Sequence, residues 1–310
     1  MTEFELIHRL TRDLPTNESV VAGAGDDCAV LDVGAKTELL LFKTDAVVEG
    51  IHFTSKTAPE KIGRKALARC LSDIAAMAGT PTSALVTIGL PRKFDVEFLE
   101  GVYAGLNALA RQHGVAIVGG ETTTNPERLL ISIALIGWVP RGKVLLRSGA
   151  KVGDAIFVTG ELGGSLAGKH LEFEPRLAEA RWLAANFSVH ALMDVSDGLA
   201  GDLRHILQAS GVGAELLKRA VPVSRAAKAS AKRGDAAKPA FVAALTDGED
   251  FELLFTVASK LAVPLLDAWK KNFTPLKLSC IGKIVAGEGI RLRDETGVRP
   301  FTAHGYVHFS

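Results

Sequence analysis

Apolar positions recur along this chain at two periods. Phe4, Ile7, Leu10 and Leu14 repeat at helical spacing and predict an amphipathic helix that ends before Pro15. Short apolar runs then predict strands over Cys28 to Val33, Glu38 to Val48, Ser83 to Leu90, Val115 to Val118 and Leu129 to Trp138. Between the second and third of these, a capping box of Thr57 with Glu60 opens a helix whose buried face is Ile62, Ala66, Cys70, Ile74 and Met77. A further helix runs from Asp95 to about His113, with Gly114 as its left-handed cap. Pro140-Arg141-Gly142-Lys143 interrupts the pattern, so the domains are placed at residues 1–142 and 143–310. Beyond it come a strand at Ala155 to Val158, a helix from about Pro175 to Asn186, a strand at His190 to Val195 and a helix from Asp197 to Ser210. A strand at Val212 to Leu217, an Ala/Lys-rich solvated helix to Arg233, and strands near Phe251 to Val257 and Lys277 to Ile284 complete the reading. The class is α/β, of the α+β type with two domains.

The 310 residues suit two domains of about 150 each. Lys plus Arg number 36 and Asp plus Glu 35, a net charge of +1, so no polyelectrolyte field attracts nucleic acid or a membrane surface, and a small-molecule substrate is expected. Cys28, Cys70 and Cys280 are far apart and in apolar contexts, which predicts buried free thiols and a reduced, cytoplasmic protein. Charged residues among the first fourteen argue against a signal peptide, and no apolar run is long enough to span a membrane.

Acids stand directly against these apolar runs: Gly25-Asp26-Asp27, Lys43-Thr44-Asp45, Ser72-Asp73, Gly119-Gly120-Glu121-Thr122-Thr123 and Asp194-Val195-Ser196-Asp197-Gly198. An ionised Asp45 within a buried strand costs several kcal/mol unless compensated. A metal ion is the expected compensation, and carboxylates without a His/Cys set suit Mg²⁺, which shares its shell with phosphate oxygens. Taken one at a time, several of these runs fit plain structural roles equally well. Asp26-Asp27 after Gly25 has the preferences of a turn, Ser196 equally suits a helix cap, and Gly119-Gly120 suits either a tight turn or close approach of a phosphate. His52 and His205 taken alone are ordinary hydrogen-bonded histidines. No G-x-x-x-x-G-K-[ST] and no protein-kinase motif set occurs, and Gly23-Ala24-Gly25 lacks the third glycine of a dinucleotide loop because position 28 is Cys.

Taken together and in order, the runs resemble the thiamine-monophosphate kinase family. The resemblance rests on Gly25 to Leu31, Thr44-Asp45 with Val48-Glu49-Gly50-Ile51-His52-Phe53, Leu71 to Met77, Arg147 to Asp154, Asp194 to Leu199, Gly248 to Leu253 and Gly305-Tyr306-Val307-His308-Phe309. It implies ATP-dependent transfer of a phosphoryl group onto thiamine monophosphate, in the fold shared with aminoimidazole ribonucleotide synthetase. It also implies a homodimer joined through amino-terminal sheets. Asp27, Thr44, Asp45, Asp73, Asp194 and Asp197 match magnesium ligands, with Glu121 at a further acidic position. Tyr103, Gly120, Glu121, Arg147 and Ser196 match nucleotide contacts, and His52, Glu249 and Tyr306 match positions that hold the thiamine phosphate. Asp45, Asp73 and Asp194 are the expected catalytic acids. The chain departs from the family's pattern at Lys43 for Ser, Cys70 for Asn, Glu121 for Asp and Thr246-Asp247 for Ser-Gly, and its Gly168 to Arg176 segment is short. Lys43 is a candidate positive charge near the phosphates, and Asp247 adds a negative charge beside the acceptor site. The alternatives are another enzyme of the superfamily or a binding protein without turnover; selenophosphate synthesis is disfavoured because the first cysteine, Cys28, lies inside an acidic run.

Overall fold

The computed structural model describes residues 3–234, 237–303 and 305–306. It divides into two compact units, one of Glu18–Val144 with His170–Leu177, the other of Met1–Asn17, Leu145–Lys169 and Ala178–Ser310. In chain order the first elements are α1 (Glu3–Thr11), β1 (Val20–Ala22), β2 (Ala29–Leu31), β3 (Glu38–Val48), α2 (Pro59–Ala76), β4 (Thr80–Leu90), α3 (Val96–His113), β5 (Ala116–Thr124) and β6 (Leu130–Pro140). There follow β7 (Asp154–Thr159), α4 (Lys169–Glu172), α5 (Leu177–Asn186), β8 (Val189–Asp194), α6 (Leu199–Ser210), β9 (Gly213–Leu217), α7 (Arg225–Arg233) and α8 (Ala240–Thr246). The last are β10 (Leu253–Ala258), α9 (Ala262–Asn272), β11 (Leu278–Val285), β12 (Ile290–Asp294) and β13 (Gly297–Phe301). The β1, α4, α8, α9, β12 and β13 elements carry no expectation from the sequence. The class is mixed α/β, as expected, with a sheet in each unit.

The amino-terminal unit is a six-stranded sheet in the order β1-β2-β3-β6-β4-β5, antiparallel except for the parallel β4–β5 pair. Alternation along β3 sends Leu39, Leu41 and Val47 into the core beneath α2, while Phe42 stays exposed on the other face. The expected apolar face of α2 is buried throughout. Its start differs from the expected capping box. Pro59 occupies the first turn, Ala58 is the cap residue without a side-chain bond, and Thr57 Oγ1 instead accepts from the Thr54 amide at 3.1 Å. On α3 both expected caps are present: Asp95 accepts from the Glu97 amide, and Gly114 has φ 68°. α2 and α3 pack closely because Gly63 and Gly105 leave their backbones open to each other. A Cβ at Gly63 would overlap the Val102 carbonyl, and one at Gly105 the Glu60 carbonyl. Segment His170–Leu177 joins this unit through Glu174, which is 3.0 Å from Arg64 and 3.1 Å from His113.

The carboxy-terminal unit is a seven-stranded sheet in the order β13-β12-β9-β11-β7-β10-β8, antiparallel except for β12 with β9. Its strands β7 and β8 contribute fully buried apolar residues such as Ile156, Val158 and Met193, packed with Leu199, Leu203 and Ile206 of α6. Trp182 of α5 meets Trp269 and Phe273 edge-on, at ring separations of 5.9 and 5.4 Å. Cys28 and Cys70 are buried free thiols, whereas Cys280 is only half-buried.

Candidate active site

In the amino-terminal unit the acids gather beneath the sheet. The ammonium of Lys43 lies 3.2 Å from Asp73 Oδ2 on α2, and Asp45 Oδ2 accepts from Arg69 Nε at 3.0 Å. Asp45 Oδ1 accepts from the Ala46 amide at 2.7 Å. A helix arginine thus offsets part of the Asp45 charge, for which the sequence alone suggested a metal. Asp27 is 2% exposed, and one of its oxygens lies within 4.8 Å of one from Asp73, which is 8% exposed. Burial by itself would lower the pKa of Lys43, but Asp73, Asp45 and Asp27 outweigh it and hold the ammonium charged. Burial, then Asp73, pushes the Cys28 thiol up, so it stays protonated. Two buried carboxylates so close repel each other, and an all-oxygen donor set of this kind fits a hard divalent cation such as Mg²⁺. Thr44 is not brought to them: on the alternate strand position, its Oγ1 lies 3.4 Å from Ser132 Oγ.

His52 follows β3 in a turn where its Nδ1 accepts from the Val48 amide at 3.0 Å, which places the proton of the neutral ring on Nε2. The ammonium of Lys65, wholly buried in α2, donates to the His52 carbonyl at 2.6 Å. Sequence reading missed this residue, although a lysine three positions after buried Ile62 was the available signal. Gly119-Gly120-Glu121 is neither a tight turn nor a loop. It continues β5 past a bulge at Val118, where the partner register moves from Ala84 to Leu85, and a Cβ at Gly120 would overlap the Val86 carbonyl. Glu121 is exposed opposite Thr87. Tyr103 is half-buried on α3, and burial raises its phenol pKa.

The carboxy-terminal unit assembles its expected residues around the loop after β8. Asp194 ends the strand at 2% exposure. The Glu249 amide donates to the Ser196 carbonyl at 2.6 Å, Phe251 to Val195 at 2.7 Å, and Tyr306 to Asp197 at 2.8 Å. Glu249 and Phe251 have φ of 63° and 50°, a left-handed backbone that costs such residues about 1–3 kcal/mol each. The neighbouring turn holds it in place: Ser165 Oγ donates to the Gly248 carbonyl at 2.6 Å and the Gly163 amide to Asp250 Oδ2 at 2.8 Å. Ser196 does not cap α6; Gly198 does, with φ 98°. Asp202, which sequence reading missed, is buried in α6 and accepts from the Asp197 amide at 3.1 Å. Burial, then Asp197 and Asp194, pushes its carboxyl well up, while Arg147 opposes the shift. Its five-residue spacing from Asp197 was the only signal. The extra charge expected from Asp247 is neutralised, because Lys238 lies 2.6 Å away and the Gly164 amide donates to its other oxygen at 2.8 Å. Val307, His308 and Phe309 of the terminal motif lie outside the described residues.

Residues 25–139 match the family described as AIR synthase related protein, N-terminal domain, and residues 151–295 its C-terminal domain. The chain belongs to the AIR synthase related proteins, and within them to the thiamine-monophosphate kinase family. It is 41% identical to thiamine-monophosphate kinase of Rhodopirellula baltica over 96% of this chain and 93% of that one. With the Bacillus subtilis thiamine-monophosphate kinase it shares 36% identity over 100% of both chains. The solved structure of AaThiL complexed with AMPPCP and TMP superposes with a TM-score of 0.83, at 30% identity, covering 99% of this chain and 97% of that one. Escherichia coli HypE, a hydrogenase maturation protein, shares the fold at 23% identity and a TM-score of 0.73, over 98% of both chains.

Proposed function

We propose that the protein phosphorylates thiamine monophosphate to thiamine diphosphate with Mg²⁺ and ATP, by direct transfer. The observation that carries this reading is the full-length likeness to a kinase solved with AMPPCP and TMP together. In the reaction a terminal oxygen of thiamine monophosphate bonds to the γ-phosphorus as the bond to the bridging oxygen breaks, and ADP leaves with that electron pair. Such a transfer asks the protein chiefly to position two anionic groups and balance their charge.

Asp27, Asp45 and Asp73 in one unit, and Asp194 and Asp197 in the other, are proposed to hold Mg²⁺, with Glu121 reaching an ion from β5 and Thr44 a further ligand on β3. Bound there, Mg²⁺ supplies charge neutralisation at the phosphate oxygens. Tyr103, Gly120, Arg147 and Ser196 bind the nucleotide in this reading. Glu249 and Tyr306 hold the thiamine moiety, and His52 donates its Nε2 proton to the phosphate. The left-handed backbone of Glu249 supports that assignment, since strain of this kind is kept where a side chain must be aimed.

We also propose a homodimer. The open face of the amino-terminal sheet carries Phe42, Leu85 and Val118 at 46%, 47% and 61% exposure, an apolar surface suited to a second copy. The test of the activity is direct: purified protein with thiamine monophosphate, ATP and Mg²⁺ forms thiamine diphosphate and ADP in equal amounts, and none when Mg²⁺ is chelated. ADP formation independent of thiamine monophosphate overturns the assignment.

A further inference from the structure

Lys43 stands inside the acidic group of the amino-terminal unit. Its ammonium is 3.2 Å from Asp73 Oδ2, and its side chain keeps only 24% of its exposure. Arg69, 3.0 Å from Asp45, is a second cation beside these acids. Among the described residues of the amino-terminal unit, the carboxylates Asp27, Asp45 and Asp73 act on Lys43, and Asp45 is also paired with Arg69, so 3 − 2 leaves a formal charge of −1. Without Lys43 the remainder becomes −2, the charge that one divalent cation offsets. An ammonium is donor-only and cannot ligate a metal, so an oxygen it holds is withheld from an ion that needs about 2.0–2.1 Å.

We propose that Lys43 is a resident cation that takes the place of one divalent ion in this acidic group. The proposal rests on the Mg²⁺ chemistry given above and concerns how many ions that chemistry uses. Lys43 is accordingly a positioning residue: it holds Asp73 in place and lets Asp27 and Asp73 stay buried together before any metal binds.

The experiment is a titration of the metal-stripped full chain with Mn²⁺, reading free Mn²⁺ by electron paramagnetic resonance, for the parent, Lys43→Met and Lys43→Arg. Lys43→Met should bind one more Mn²⁺ per chain than the parent, and Lys43→Arg the same number as the parent. Lys43→Met should also melt lower than the parent in chelator and recover on adding Mn²⁺. An unchanged Mn²⁺ count in Lys43→Met overturns the proposal. If Lys43→Met does not fold with or without Mn²⁺, Lys43→Met/Asp73→Asn decides: recovery of folding supports the pairing, and failure overturns it. Neither measurement contains substrate, so loss of thiamine diphosphate synthesis by the parent would sink the kinase reading without touching the ion count.

Discussion

The main-chain amide of Glu249 donates to the carbonyl of Ser196 at 2.6 Å, a backbone tether between the proposed acceptor acid and the proposed nucleotide serine. Tyr306 is tied to Asp197 in the same way, at 2.8 Å. Side-chain substitutions at Glu249 and Tyr306 therefore leave those tethers intact and report on substrate contacts.

Glu249→Gln and Tyr306→Ala should raise KM for thiamine monophosphate about 10-fold or more, a loss of about 1.4 kcal/mol each, while KM for ATP changes little. An acid can pair with the cationic thiazolium and an aromatic ring can stack on it. Steady-state kinetics with each substrate varied in turn provide the check, and equal weakening of both substrates removes the acceptor assignment.

Asp45→Asn and Asp194→Asn should each lower kcat at least ~100-fold with far-UV circular dichroism unchanged, because removing a ligand charge weakens electrostatic stabilisation worth several kcal/mol. Asp45 tests this most sharply. Its Asn variant keeps the size and one of the two acceptor oxygens, so it still accepts from either the Ala46 amide or Arg69 while the charge is lost. Near-parental turnover at saturating Mg²⁺ would count against the site.

Stability should fall as pH rises toward neutrality. Burial pushes the Asp250 carboxyl up to about 7, against Lys169 and the Gly163 amide, which favour its charged form. An unfolded Asp titrates near ~3.9, so the folded state binds the extra proton between the two values. That contribution is fully present below the lower value and is lost as pH rises through the upper one. Asp250→Asn, which keeps the shape without the acid, should flatten the decline seen in urea unfolding between about pH 5 and about pH 8. An equal slope in parent and variant would show that another group sets it.

Phe42→Asp places a charge on the apolar open face of β3 and should convert the proposed dimer to monomer in sedimentation velocity, without loss of the amino-terminal core. Unchanged sedimentation would move the interface elsewhere.

Glu38–Val48 was legible as a strand in full, because apolar stretches, Leu39 to Phe42 and Ala46 to Val48, flank Lys43-Thr44-Asp45 on both sides and need no partner to be recognised. The same holds for α3, whose Asp95 and Gly114 caps act within one turn of chain. Local chemistry failed where a neighbour in sequence competed: Pro59 displaced the Thr57 cap, and Gly198 took the place of Ser196. The acidic runs themselves were equally plain, since carboxylates beside apolar stretches stand out in one dimension. What they touch was not. Lys43 meets Asp73 thirty residues on, and Arg69 meets Asp45 across twenty-four, pairs made by laying α2 on β3. The Gly119-Gly120 run became strand because β4 lies alongside it at a spacing only glycine at 120 allows. By itself the sequence determined the periodicities and the chemical character of each run. Only the tertiary structure decided which charges meet, because ion pairing and burial depend on distances that packing sets and sequence separation does not.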